Sequence, residues 1–328
     1  MKKVGYFALT DDASSFYRLQ GVFPFITDKN LELVDISHLN PGSWATIAPF
    51  DVIIFQRLFA EDHAALIMQC QIMGRKVIID YDDNILEVPP HNPAYELYKN
   101  KKWSMQCLRL ADELWVSTVA LAEDFKKYNK NIHVVPNAHN NHMFHVEQKK
   151  DFNFENKLVI YRGGNTHRLD LFNKASDLAM LADYHKDWQF QYIGIADNHE
   201  FFEMNSRNEN VSVTNKIPFI QYMDYLRTMN APVMINPLLD IPINRSKSNI
   251  SWIEGCYAGS VLFTNKNLPE FNYAFIGDIG TLINSPHRYL DKDGFDKLSL
   301  MHEESWAYIQ KNLLLSSVNK LRIQRLLA

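Results

Sequence analysis

Short apolar runs alternate with amphipathic stretches along the whole chain. In the first half, Lys3–Ala8, Leu31–Ile36, Val52–Phe55, Lys76–Ile79, Glu113–Val116 and Ile132–Val135 are short, rich in branched residues and bounded by turn formers. That pattern predicts buried strands. Helical spacing lies between them, over Phe16–Ile26, Ala60–Met73 and Thr118–Tyr128, the last opening on a capping threonine. Periodicity lapses at Pro136–His142, and Glu147–Asn156 is strongly polar, which places an inter-domain linker there. The alternation then restarts. Leu158–Tyr161, Trp188–Ile193, Val211–Val213, Pro232–Ile235 and Val261–Thr264 read as strands, and Leu169–Tyr184, Phe219–Met229 and Ser248–Ala258 as helices. Glu303–Ser316 and Val318–Leu327 read as closing helices. Strands alternating with helices imply mainly parallel sheets, here in two facing Rossmann-like, doubly wound domains with a cleft between them. The expected division is 1–145, 146–300 and a closing segment 301–328.

Composition narrows the class. At 328 residues the chain exceeds what one core of roughly 250–300 residues supports. A formal net charge of −4 excludes a global basic field of the kind that gathers nucleic acid. No run approaches the roughly 20 apolar residues of a membrane span, and the N-terminal MKKVGYFALTDD is too short in its apolar part for a secretory leader, so a cytoplasmic protein is expected. Three cysteines without paired spacing point to neither a disulfide framework nor a zinc site. The chain also lacks the glycine fingerprints of dinucleotide oxidoreductases and P-loop enzymes, and the serine elbow of α/β-hydrolases.

Three segments carry candidate chemistry. In the longest, running from Asn236 to Phe263, a strand gives way to a polar loop Asn244–Ser248, a helix is expected to start near Ser248, and Gly259 follows its last turn. Free N–H groups at such a helix start suit a phosphate, Lys247 adds a point charge beside them, and Glu254 is spaced to accept ribose hydroxyls. An ordinary capped helix with solvated Lys and Glu explains the same spacing equally well. In the second segment, Arg162, Gly163, Gly164, Thr166 and His167 follow a strand, where the glycines let backbone approach a ligand. The third runs from Lys76 into Asp80, Asp82 and Asp83, a carboxylate-rich strand end suited to acceptor hydroxyls or cleft lining. Asp80-Tyr81-Asp82 also reads as the Asp-x-Asp element of metal-dependent GT-A enzymes, which would leave the second α/β half unexplained. Tyr17 and Arg18, after the first strand, are further acceptor-side candidates, and Phe16 is expected in the core.

The first two segments resemble the donor-site signature of GT-B nucleotide-sugar glycosyltransferases of the large retaining class, in particular a subgroup of bacteria and phages with Gly-x-x-Thr-His-x-x-Asp-Leu and Asn-x-x-Lys-Ser elements. Those elements are matched by Gly163 to Leu171 and by Asn244, Lys247 and Ser248. Val88-Pro89 and Asn92-Pro93 after the aspartates extend the match. The resemblance implies a GT-B fold and transfer of a hexose or pentose from a UDP- or GDP-linked sugar with retention, without an essential cofactor or metal. It assigns catalysis to Arg162, His167 and Lys247, and donor binding to Gly163, Gly164, Thr166, Asn244, Ser248 and Glu254, with Asp170 orienting His167. Many members carry a second glutamate where this chain has Ser246, so the handling of the sugar departs from the common pattern. The acceptor remains open between a glycan or lipid-linked glycan and hydroxymethylated pyrimidines in DNA, for which Lys99, Lys101, Lys102 and Arg109 would supply a local basic groove. A non-catalytic sugar-nucleotide-binding protein is the alternative from another class.

Overall fold

The computed structural model describes residues 1–145, 155–195, 203 and 208–328. The first sheet holds β1 (Lys2–Phe7), β2 (Leu31–Asp35), β3 (Val52–Gln56), β4 (Lys76–Tyr81), β5 (Glu113–Val116) and β6 (Ile132–Val134), in the order β2-β1-β3-β4-β5-β6. The second holds β7 (Leu158–Arg162), β8 (Gln189–Ile193), β9 (Val211–Thr214), β10 (Val233–Asn236), β11 (Val261–Thr264) and β12 (Gly277–Asp278), in the order β12-β11-β10-β7-β8-β9. Every described pairing is parallel, for example Val4 with Val52 and Val233 with Val159.

Apolar burial explains both sheets. Along β3 and β4, Ile53, Phe55, Val77 and Ile79 enter one core while Val52, Ile54 and Ile78 enter the core on the opposite face. The second sheet divides the same way: Val233 and Ile235 face one core, Met234 the other. Strands covered on both faces are apolar along most of their length, which is why they are legible as continuous runs. The eleven expected strands form within one or two residues of their expected ends, and the short edge pairing of β12 is additional.

Several helices differ from expectation. Phe16–Ile26 splits into a wide π-helical turn, Phe16–Gln20, and a tight 3-10 turn, Phe23–Phe25, because Gly21 and Pro24 interrupt it and proline has no N–H to give. Leu169–Tyr184 is two helices, Arg168–Asn173 and Ala175–Tyr184. The helix expected from Ser248 starts at Ile250, so Lys247 and Ser248 belong to the loop before it, and Gly259 closes it with a left-handed φ of 88°. The closing helices are Lys292–Asn312 and Leu315–Leu327. The last returns to the first sheet, where Leu315, Val318 and Leu326 join the core of Val4, Leu19 and Trp115. At the return, the His139 and Leu315 backbones bond to each other, and His139 also bonds to Leu313, so the outgoing and returning segments run side by side. The expected junction at residue 146, and residues 147–154 of the polar stretch Glu147–Asn156, lie outside the described residues. No helix among those described is long and apolar enough to cross a membrane.

Candidate functional site

In open parallel sheets, ligands bind beyond the carboxyl ends of the strands, where the strand order reverses. In the second sheet that point lies between β7 and β10, whose last residues are Arg162 and Asn236. The loop after β10 leads through Asn244–Ser248 into the helix Ile250–Ala258, which lies across β10 closely enough that a Cβ on Gly255 would come within 3.0 Å of the Met234 sulfur. Loop, helix and the end of β7 thus meet at one place.

Arg162 and Glu254 form its floor. Arg162 Nε donates to Glu254 Oε2 at 2.6 Å, Nη2 donates to Oε1 at 3.1 Å, and the Tyr17 hydroxyl donates to Oε1 at 3.2 Å from the first domain. Glu254 is 0% exposed. Burial opposes charge on Arg162, but Glu254 outweighs it and holds the guanidinium above its usual pKa. Burial, then Glu254, also keep Tyr17 protonated, so its hydroxyl is a fixed donor. The two residues expected to contact ribose and phosphate separately are therefore each other's partners here.

His167 is buried and bonded through Nδ1 to Asp170 Oδ2 at 2.9 Å. Burial, then the charge of Lys247, lower its pKa. A neutral imidazole beside a carboxylate donates from Nδ1, which leaves Nε2 as an acceptor. Asp170 is itself held: its Oδ1 accepts from the Leu239 backbone at 3.0 Å and from Asn244 Nδ2 at 2.9 Å. Asn244 is thus engaged in orienting Asp170, and the expected histidine and asparagine elements form one buried network. Gly163 and Gly164 are half-buried at the end of β7. A Cβ on Gly163 would come within 2.1 Å of the Tyr161 oxygen, whereas Gly164 faces open space.

The first domain meets this loop at consecutive residues. Thr118 Oγ1, which also caps the helix Val119–Phe125, donates to the Ser246 carbonyl at 2.9 Å. Lys247 Nζ lies 3.4 Å from Asp83 Oδ1. Asn137 Nδ2 donates to Ser248 Oγ at 2.8 Å. Asn92 Nδ2 reaches the Thr166 carbonyl at 3.4 Å.

On the acceptor side the expectations change. Arg18 and Asp80 are both 0% exposed and paired twice, Nε to Oδ1 at 2.7 Å and Nη2 to Oδ2 at 2.8 Å. Each polar atom of both side chains has a partner, so neither presents a group to the cleft. This pair braces the site from below. Asp80 and Asp82 also share no ligand position, since Asp82 turns to Arg57, 3.4 Å away and outside hydrogen-bond geometry. Burial would raise the Asp82 pKa, but Arg57 and Ser14 outweigh it and lower it. Phe16 is half-buried between the domains against Phe144 and Phe219, outside either sheet core. Among the described residues no group of three His, Cys, Asp or Glu side chains is placed to hold a metal ion.

Two residues of the site are faintly marked or unmarked in the sequence. Arg57 sits at the end of β3 with φ of 48°, an uncommon conformation for a side chain of its size, and faces Asp12 and Asp82. Asn137 lies in the aperiodic stretch read as linker. A buried strand running into Arg is the only hint of the first, and nothing marks the second.

No family model and no curated protein sequence matches the chain. Solved structures do. A mutant of TarM from S. aureus, in complex with fondaparinux, α-GlcNAc-glycerol and UDP, is similar with a TM-score of 0.59 at 13% identity, covering 84% of this chain and 55% of its own. The chain thus spans about half of that protein's length. An α-glucosyltransferase in complex with UDP-glucose and DNA containing an abasic site gives 0.63 at 9% identity, over 99% of this chain and 98% of its own. UDP-GlcNAc 2-epimerase from Neisseria meningitidis gives 0.59 at 10% identity, over 100% of both chains. At these identities the likeness establishes the fold: two six-stranded parallel sheets in the GT-B arrangement.

Proposed function

We propose that the chain is a glycosyltransferase that takes a sugar from a nucleotide-sugar donor bound at the switch point of the second sheet. The observation that carries this reading is the convergence of Lys247, Ser248 and the free N–H groups of the helix Ile250–Ala258 with Arg162 and His167, whose imidazole feels the charges of both Lys247 and Arg162. Donor groups fixed in advance stabilise the charge that grows on a departing diphosphate without a metal.

In this reading Arg162 and Glu254 exchange partners when the donor enters. Glu254 takes the ribose hydroxyls, while Arg162, Lys247 and Ser248 take the diphosphate. His167 Nε2 accepts from a sugar hydroxyl, and Thr166 and the backbone at Gly163 and Gly164 line the approach. The acceptor oxygen bonds to the anomeric carbon, the bond to the diphosphate breaks, and the acceptor proton passes to the leaving phosphate oxygen. Retention rests on the motif resemblance. Asp83 and Asp12 are partly exposed on the first domain, with Asp82 buried behind them on Arg57, and the exposed carboxylates suit a neutral, hydroxyl-rich acceptor such as a glycan. A hydroxymethylated pyrimidine in DNA is the second reading, favoured by the full-length likeness to the DNA-bound α-glucosyltransferase.

The test is a binding panel of UDP- and GDP-sugars on the wild type and Lys247→Ala, followed by turnover on glycan acceptors and on hydroxymethylated duplex. The partly exposed Lys247–Asp83 pair contributes at most about 1 kcal/mol, so the variant should fold normally. Its nucleotide affinity should fall roughly tenfold or more, the loss of a charge-assisted contact. Undiminished binding and turnover by Lys247→Ala would sink the donor-site assignment. Conversion of the nucleotide sugar itself without acceptor would make the protein an epimerase, and binding without turnover on any acceptor a non-catalytic sugar-nucleotide protein.

A further inference from the structure

A buried chain of polar contacts runs from the core of the first domain to the loop before the helix Ile250–Ala258. Asp80 accepts twice from Arg18; Arg18 Nη1 donates to Asn137 Oδ1 at 2.9 Å and to the Val135 carbonyl at 2.7 Å; Asn137 Nδ2 donates to Ser248 Oγ at 2.8 Å. Arg18, Asp80 and Asn137 are all buried, none more than 1% exposed.

The chemistry of these groups fixes the direction of every hydrogen. A carboxylate only accepts and a guanidinium only donates. The asparagine oxygen must therefore face Arg18, which turns its NH2 toward Ser248 and obliges the serine oxygen to accept. One hydrogen remains on that oxygen. Ser248 is half-buried at the cleft, and among the described residues its hydroxyl has no acceptor. It is left as an outward donor at the place where the helix begins.

We propose that Asn137 is a positioning residue that makes Ser248 a committed hydrogen-bond donor to the diphosphate of the bound nucleotide, with Arg18 and Asp80 setting its polarity from the core. The inference rests on the donor-site reading above. Polarised in one sense, the chain gains from cooperativity at each bond. It also ties donor recognition to the first domain, since Ser248 keeps this polarity only while Asn137 is within reach.

The test reverses the polarity without changing shape. Asn137→Asp keeps the size and gives Arg18 a second carboxylate, but an aspartate accepts from Ser248 and turns its hydroxyl away from the ligand. UDP affinity, measured by calorimetry, should fall about tenfold, the loss of one bond to a charged group, while thermal stability holds. Ser248→Ala should lose a similar factor. In the Ser248→Ala background, Asn137→Asp should then cost little more. A full tenfold effect of Asn137→Asp in that background would overturn the proposal, since the added charge alone would explain it. Wild-type affinity in Asn137→Asp would overturn it as well. Failure of the donor-site reading has a different mark: both Lys247→Ala and Ser248→Ala bind UDP as the wild type does.

Discussion

Arg162 and Glu254, 92 positions apart, meet as a two-bonded ion pair at the floor of the cleft, with Nε to Oε2 at 2.6 Å. The pair gives a fully buried carboxylate an opposite charge inside the second domain, and Tyr17 adds a third bond from the first. Removing Arg162 leaves Glu254 with neither solvent nor an opposite charge.

Arg162→Met should therefore cost about 3 kcal/mol of stability, as for a buried pair broken on one side. Replacing both residues together, Arg162→Met with Glu254→Leu, should recover most of that loss. Urea unfolding of the two singles and the double closes the cycle. Additive losses would show that the two charges do not interact.

The His139 imidazole sits between Tyr257 and Trp306, bonded through Nε2 to the Phe144 carbonyl. Burial lowers its pKa to about 4, the Phe144 carbonyl opposing and Arg227 adding to the effect. The unfolded chain takes up this proton near pH 6.5 and the folded chain only near 4, so protonation favours unfolding across that window. The stability present at pH 7 is lost as pH falls through 6.5 towards 4, by about 3 kcal/mol from this residue. His139→Gln retains a donor for Phe144 and should flatten the decline in denaturant unfolding measured from about pH 7 to about 4.5. An unchanged slope would assign the loss to other groups.

The adjacent glycines after β7 should respond differently to alanine. Gly163→Ala forces a methyl into the buried Tyr161 ring and should cost about 1–3 kcal/mol. Gly164→Ala meets nothing within 4 Å and should leave stability unchanged. If the backbone there lines the donor, Gly164→Ala should weaken nucleotide binding all the same. Calorimetric unfolding and binding on both variants separate the effects, and equal destabilisation by the two would contradict the geometry.

The sequence by itself determined the two parallel sheets and the succession of their strands along the chain. Strands such as Val52–Gln56 and Val233–Asn236 are buried on both faces, and that burial is written locally as unbroken apolar runs between turn residues. It also held the grouping of Gly163 to Asp170 with Asn244 to Glu254, because the ends of neighbouring strands in a doubly wound sheet fall at one crevice. What only the tertiary structure decided is which charges meet. Asp80 and Asp82 are two residues apart at one strand end, yet one is sealed on Arg18 in the core and the other turns to Arg57. Asn137 read as linker and became a bond between the domains. The period of a strand fixes which face a side chain takes, but its partner comes from a distant segment brought in by crossovers and a returning final helix, and no local pattern encodes that meeting.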